Sequence, residues 1–263
     1  MLLFTCLRYT VFLTIKNLSI GDDHKHLNHQ HESYNSTIQM KTMTKNIIIL
    51  GTGGNSVDIL DTLNDINRAR SQDIYQCNGF LDDNPDKWGK FICEKKILGP
   101  LSSALDYQNC LFVNGIGSPS NFLRKTEIIQ KTLLSIDQFE SIIHPTASVS
   151  KLSKIGRGSV IFQNVTITSN VYIGNHVIIL PNTVISHDDI IGDYTCITGG
   201  VCISGGVEIG TSCYIGTNAS VIGNIKIGNR CLVGMGSVVL HDIQENMVVA
   251  GNPARVLRSG VES

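Results

Sequence analysis

The chain has 263 residues, with 21 Lys+Arg against 22 Asp+Glu, 25 Gly, 8 Cys and a single Trp. That length accommodates two modest domains, and the even charge offers neither a basic field for nucleic acid nor a polybasic block for a membrane surface. The cysteines include no C-x-x-C pair and no regular spacing, so they read as small buried apolar residues in a reducing cytoplasm rather than as disulfides or metal ligands.

The segment from Met1 to Ile15 is apolar but interrupted by Arg8, and it is shorter than the roughly 20 residues a membrane-spanning helix needs. No clear small-x-small cleavage site follows it. His24, His26, His29 and His31 come next. They have the donors to bind a metal, but a solvated tail with nothing to pre-order the ligands is the simpler reading. Met40 and Met43 precede the first strand. The expectation is that the natural start is one of these, and that residues 1–43 are a disordered extension or a start assigned too early.

Ile47 to Leu50 is a short buried strand, and Gly51-Thr52-Gly53-Gly54 turns the chain into a helix spaced over Val57 to Ile66. A second strand ends at Leu81, before Asp82-Asp83-Asn84-Pro85. A third covers Leu111 to Ile116, runs into Gly117-Ser118-Pro119, and gives way to helical spacing from Phe122 to Leu134. Alternating strands and helices imply a small Rossmann-like parallel sheet over residues 44–141. Its glycine turn departs from a dinucleotide fingerprint: Ser56 stands where Gly or Ala belongs, and the acidic pair lies about thirty residues on. Glycines before a helix still let phosphate approach main-chain N–H groups. A nucleotide ligand fits this better than NAD does, and a plain strand-to-helix turn is the alternative.

Residues 142–263 follow a different rule. From Ile143 every sixth residue to Val239 is Ile or Val, seventeen positions without an insertion. A hexad period belongs to a parallel β-helix. Gly156, Gly174, Gly192, Gly210 and Gly228 each follow one of these every-sixth, or clock, residues and lie eighteen apart, so one coil is eighteen residues with three flat sides. Asn175, Asp193 and Asn229 follow three of these glycines and read as the left-handed corner residues. Four residues after most clock positions the side chain is small or β-branched, which suits a narrow interior. The two open ends of such a prism need caps. The N-terminal domain is expected to cover one, and the segment Val249 to Leu257 to cover or flank the other.

This chain from Lys45 onward resembles the hexapeptide-repeat acyltransferases. More closely it resembles the bacterial sialic-acid O-acetyltransferases and UDP-amino-sugar N-acetyltransferases. The resemblance is carried by Gly51-Thr52-Gly53-Gly54, Gly79-Phe80-Leu81-Asp82-Asp83, Gly115-Ile116-Gly117-Ser118, Ile143-His144-Pro145, Ser186-His187-Asp188-Asp189-Ile190-Ile191-Gly192-Asp193 and Ala250-Gly251-Asn252-Pro253-Ala254-Arg255. It implies a left-handed β-helix, a homotrimer, acetyl-CoA as co-substrate and a nucleotide-sugar acceptor. It also implies His187 as general base with Asp188 as its acidic partner. An amine or hydroxyl attacking a thioester must lose a proton, and imidazole titrates near neutral pH. The eighteen-residue period places Gly205 directly beneath His187 on the next coil, leaving room for a thioester and exposing a backbone N–H as an oxyanion donor. Acetyl-CoA contacts carry over to Cys196, Thr217 and Met235, and nucleotide-sugar contacts to Gly53, Gly54, Asn55, Asp82, Asp83 and Gly117. Cys196 and Asn55 depart from the resemblance, since His is common at both places.

Together these readings imply a cytoplasmic acetyltransferase acting on an amino group of a nucleotide-activated sugar in bacterial surface-glycan biosynthesis, without membrane insertion, nucleic acid or metal. O-acetylation of a sialic-acid-like sugar uses the same base and donor. A non-catalytic scaffold or sugar-nucleotide sensor is the alternative of another class. A zinc lyase of the carbonic-anhydrase kind needs three converging His. Here His187 and His241 share a column but stand three coils apart, about 14 Å at β spacing; His176 lies on another side and His144 more than two coils away.

Overall fold

The computed structural model describes residues 43–260. The apolar stretch to Ile15, the four-histidine segment, Met40 and nearly all of the expected extension lie outside the described residues.

The first part builds a five-stranded sheet from β1 (Lys45–Leu50), β2 (Tyr75–Leu81), β3 (Phe91–Ile92), β4 (Lys95–Gly99) and β5 (Leu111–Asn114), in the order β3-β4-β2-β1-β5. All pairs are parallel except β3 with β4. Ile47 to Leu50 are fully buried, because a central parallel strand is covered on both faces and needs a continuous apolar run. Helix α1 (Gly54–Arg70) is longer than its apolar spacing predicts and stops at Ser71 in the left-handed conformation. The helix expected over Phe122 to Leu134 is a 3₁₀ turn and a short α2 (Lys125–Gln130), ended near Leu133 with φ 55°. The β3–β4 edge hairpin is not foreseen from the sequence, since β3 is only two residues and β4 opens on two lysines.

From Ile142 the chain winds into seventeen two-residue strands, β6 (Ile142–Ile143) through β22 (Val238–Val239), one every six residues. Strands eighteen residues apart pair in parallel and form three flat faces. The clock residues from Ile161 onward fill the interior, together with Val165, Val177, Val201, Val207 and Ala219. Each buried Ile contributes roughly 1.5–3 kcal/mol. Ile143 stays 39% exposed because no coil lies before it.

The corners correct one expectation. The left-handed residues also recur every six: Gly158, Asn164, Asn170, His176, Asn182, Asp188, Tyr194, Gly200, Gly206, Ser212, Asn218, Asn224, Arg230 and Gly236 all have positive φ. Asn175, Asp193 and Asn229 sit one place earlier and do other work. Their side-chain oxygens accept the N–H groups of Arg157, Asn175 and Thr211 on the preceding coil at 2.7–2.9 Å. The glycines that follow the clock residues serve close approach, since a Cβ at Gly156, Gly192 or Gly210 would lie 2.5–2.6 Å from the neighbouring coil.

A second correction concerns docking. The N-terminal sheet does not cover an open end of the prism. It packs on one flank, where the outward residues Ile142, Val160, Ile178 and Cys196 are buried with Ile47, Leu60, Leu63 and Phe80. His144 Nε2 meets Asp65 Oδ2 of α1 at 2.9 Å across the same seam. At the far end β23 (Met247–Ala250) extends this flank and pairs with the antiparallel β24 (Arg255–Ser259). Met247 and Ala254 pack on the last interior residues and close the prism there.

Candidate active site

The residues singled out by sequence fall in three places. The first is a cavity of about 700 Å³ over the C-terminal ends of β1, β2 and β5, where ligands of open α/β sheets bind. Gly53, Gly54, Asn55, Asp82, Asp83 and Gly117 all line it. Gly53 caps α1, and a Cβ added at Gly53 or Gly54 would meet nothing within 4 Å. Smallness there serves no internal packing; it leaves the N-terminal N–H groups of α1 open to an anion. Ser56 occupies the anomalous third position, fully buried against Gly115, where any Cβ would strike it. The Asn55 amide donates to the Gly117 carbonyl at 3.2 Å.

The acidic pair is already engaged within the protein. Asp82 accepts from the Thr52 hydroxyl, from Lys87 Nζ at 3.2 Å and from the Asn84 N–H at 2.9 Å. Burial works against its ionisation, but these hydrogen bonds outweigh burial and hold the carboxyl below the ordinary range. Asp83 accepts from Lys131 Nζ at 2.8 Å and from the Leu101 N–H at 3.0 Å. Lys87, Arg124 and Lys131 thus bring three cations to the cavity wall, and Leu180 and Tyr214 of the coils complete it. None of these five was singled out in the sequence.

The second place is the corner Ser186-His187-Asp188-Asp189. Asp188 occupies the left-handed position with φ 63°, and its Oδ2 stands 2.8 Å from His187 Nδ1. Asn170, one coil back, donates to Asp188 Oδ1 at 2.6 Å. The Asn170 bond, then the His187 bond, holds the Asp188 carboxyl below the usual range. With Nδ1–H donating to Asp188, His187 Nε2 is left as an acceptor on a side chain that is 66% exposed. Gly205 lies directly beneath. A Cβ there would come within 2.6–2.9 Å of the imidazole ring, and the Gly206 N–H donates to the His187 carbonyl at 2.9 Å.

Thr217 and Met235 form the third place, one coil apart on the corner shared with Pro181 and Gly199, joined by Gly236 N–H to the Thr217 carbonyl at 2.8 Å. Met235 is 80% exposed. Cys196 belongs with neither corner. It is buried on the docking flank, 3.6 Å from Lys125 Nζ, and a Cβ at Gly117 would sit 2.7 Å from its sulfur. Its thiol supports the cavity floor from behind and offers no surface to a cofactor. Lys125 is fully buried and also donates to the His176 carbonyl; burial lowers its pKa. Among the described residues no group of three or more His, Cys, Asp or Glu is placed to hold a metal ion. None of the described helices is long and apolar enough to cross a membrane.

A fold of stacked hexads with an exposed histidine at one corner defines a class. The family model described as bacterial transferase hexapeptide (six repeats) matches residues 152–187 and 206–241. No curated protein matches the chain in sequence. Among solved structures it is similar to PerB from Caulobacter crescentus in complex with CoA and GDP-perosamine, at 25% identity over 80% of this chain and 96% of that one, TM-score 0.68. It is similar to the acetyltransferase domain of PglB from Neisseria gonorrhoeae FA1090, at 24% identity over 81% of this chain and 100% of that one, TM-score 0.69. WeeI from Acinetobacter baumannii AYE matches at 24% identity over 81% and 100%, TM-score 0.68. These likenesses establish the fold as an α/β domain followed by a left-handed parallel β-helix.

Proposed function

We propose that this protein is an acetyl-CoA-dependent acetyltransferase acting on an amino group of a nucleotide-activated sugar, in the cytoplasmic stage of bacterial surface-glycan biosynthesis. The observation that carries this is the His187–Asp188 pair at 2.8 Å lying over the bare Gly205, on a chain whose other domain holds a glycine-lined, cation-rimmed cavity. That PerB binds CoA and GDP-perosamine supports it. His187 Nε2 takes the proton as the sugar amine attacks the thioester carbon. Asp188 stabilises the imidazolium, and the Gly205 N–H faces the developing oxyanion. Collapse of the tetrahedral intermediate expels the CoA thiolate, which the imidazolium reprotonates. Thr217 and Met235 line the donor path, Gly53 and Gly54 face the diphosphate, and Lys87, Arg124 and Lys131 balance its charge. Asp82 holds Lys87, Asp83 holds Lys131, and both brace the neighbouring turn.

His187 is not among the residues lining the cavity. A homotrimer, in which the corner of one copy faces the cavity of its neighbour, completes the site. Released thiol is to be measured with acetyl-CoA and a panel of UDP-, GDP- and dTDP-linked amino sugars, with free sialic acid in parallel. Turnover of an amino-sugar nucleotide is expected. Turnover of sialic acid alone would replace N- with O-acetylation, and thiol release with no acceptor in the panel would overturn the reading.

A further inference from the structure

Asp189 is the one acidic residue in the interior column Ser153, Val171, Asp189, Val207, Ile225, Ile243. It is fully buried between apolar neighbours, directly after the His187–Asp188 pair. Its Oδ1 accepts the Val207 N–H at 2.7 Å, and its Oδ2 has no partner. Other coils show what that place requires. Two coils back in the same column, Ser153 accepts the N–H of Val171, eighteen residues on, and donates to the carbonyl of Thr168, fifteen residues on. Ser159 does the same toward Val177 and Gly174, and Thr195 toward Cys213 and Gly210. Each hydroxyl serves as both acceptor and donor. For Asp189 the acceptor half is made to Val207, and by the same register the waiting carbonyl is that of Ser204. A carboxylate cannot donate; a carboxylic acid can.

The Ser204 carbonyl shares a peptide unit with the Gly205 N–H. We infer that Asp189 is a positioning residue that, as a neutral acid, donates to the Ser204 carbonyl and so fixes and polarises the peptide whose N–H faces the thioester. This rests on the acetyl-transfer reading above. Hydrogen bonds in series strengthen one another, and an oxyanion donor works only if its direction is set in advance. Burial pushes the Asp189 carboxyl up to about 6, against the pull of the Val207 and Ser186 N–H groups. A bond that only the neutral acid can make raises it further. The charged groups facing it are few. His187 and Asp188 come from its own corner and oppose each other in sign. The coil before presents Asn170 and Val171, and the coil after presents Ser204 to Val207. Beyond these, Glu208 is paired outward with Lys226.

Two measurements test this on the full chain. The first is thermal stability of wild type against Asp189→Asn from pH 4 to pH 8. A raised folded-state pKa stabilises fully below the unfolded value and is lost as pH rises through the folded value. Wild type should therefore lose stability relative to Asn across that window. A difference independent of pH would show that the group carries no raised proton affinity and would overturn the proposal. The second is kinetics. Asp189→Val, matched to Val171 and Val207, should fold and lose roughly 10- to 100-fold in kcat, with acetyl-CoA and acceptor KM within about 3-fold. Asp189→Ser and Asp189→Asn, which keep a donor, should recover most of kcat. A folded Val variant with wild-type kcat would overturn the positioning role. If wild type acetylates nothing, the acetyl-transfer reading falls with it, and the stability arm still decides whether Asp189 keeps its proton.

Discussion

At His187 the two ring nitrogens have different tasks. Nδ1 is engaged with Asp188, itself anchored by Asn170 on the preceding coil, which leaves Nε2 as the nitrogen without a protein partner among the described residues. His187→Ala should lower kcat by roughly 10²–10⁴. Acetyl-CoA affinity by calorimetry and the melting temperature should stay near wild type, because the side chain is exposed and packs on a glycine. Near wild-type kcat from pH 6 to 9 would remove His187 from the mechanism. Gly205→Val should behave differently: its branches would fill the space under the ring, and acetyl-CoA binding should weaken together with turnover. At this scale the eighteen-residue period made the stacking of His187 over Gly205 legible. The period gave no sign that Cys196 is buried on the flank the other domain covers.

Among the elements, glycines divide by what they face. Gly192 nearly touches the next coil, with 2.6 Å left for a Cβ, whereas Gly53 has nothing within 4 Å. Gly192→Ala should destabilise by roughly 1–3 kcal/mol in denaturant titration. Gly53→Ala should leave stability unchanged and raise the acceptor KM. Gly117 is a third kind: a Cβ added there would lie 2.7 Å from the Cys196 sulfur and 3.1 Å from Ile178. Gly117→Ala should raise the acceptor KM roughly 3- to 10-fold, and adding Cys196→Ala should restore it, since contacting sites couple. If the double variant is no better than the single, Cys196 does not support the floor. The hexads were legible because interior Ile and Val repeat at a fixed period. The docking flank was less so, yet a signal existed in the residue before each clock position. Val160, Ile178, Cys196, Tyr214 and Leu232 stay apolar or aromatic down one face, while Lys154, Glu208 and Lys226 mark another. Leu180, Lys87, Arg124 and Lys131 left no such trace, because their meeting depends on contacts between distant segments.

For the whole molecule, the proposed trimer divides the site between corner and cavity and predicts that activity belongs to the assembly. Light scattering should give three times the 28.7 kDa chain mass. A His187→Ala chain and a chain disabled in the cavity by Gly53→Val should each be nearly inactive alone. Refolded together, they should regain part of the activity, because some interfaces pair an intact corner with an intact cavity. No regain in a mixed trimer confirmed by mass would place the whole site within one copy.

The ladder of coils also ties chain length to direction. Residues eighteen apart stand over one another, as Ile185 does over Ile203. Inserting six residues therefore swings everything downstream by a third of a revolution, and inserting eighteen restores the bearing while adding about 4.8 Å of height. The stretch between Gly205 and the closing hairpin behaves like a vernier with whole-coil graduations. A lineage can lengthen or shorten the reach offered to a long co-substrate only in full steps, and any smaller slip would turn Thr217 and Met235 away from the His187 corner.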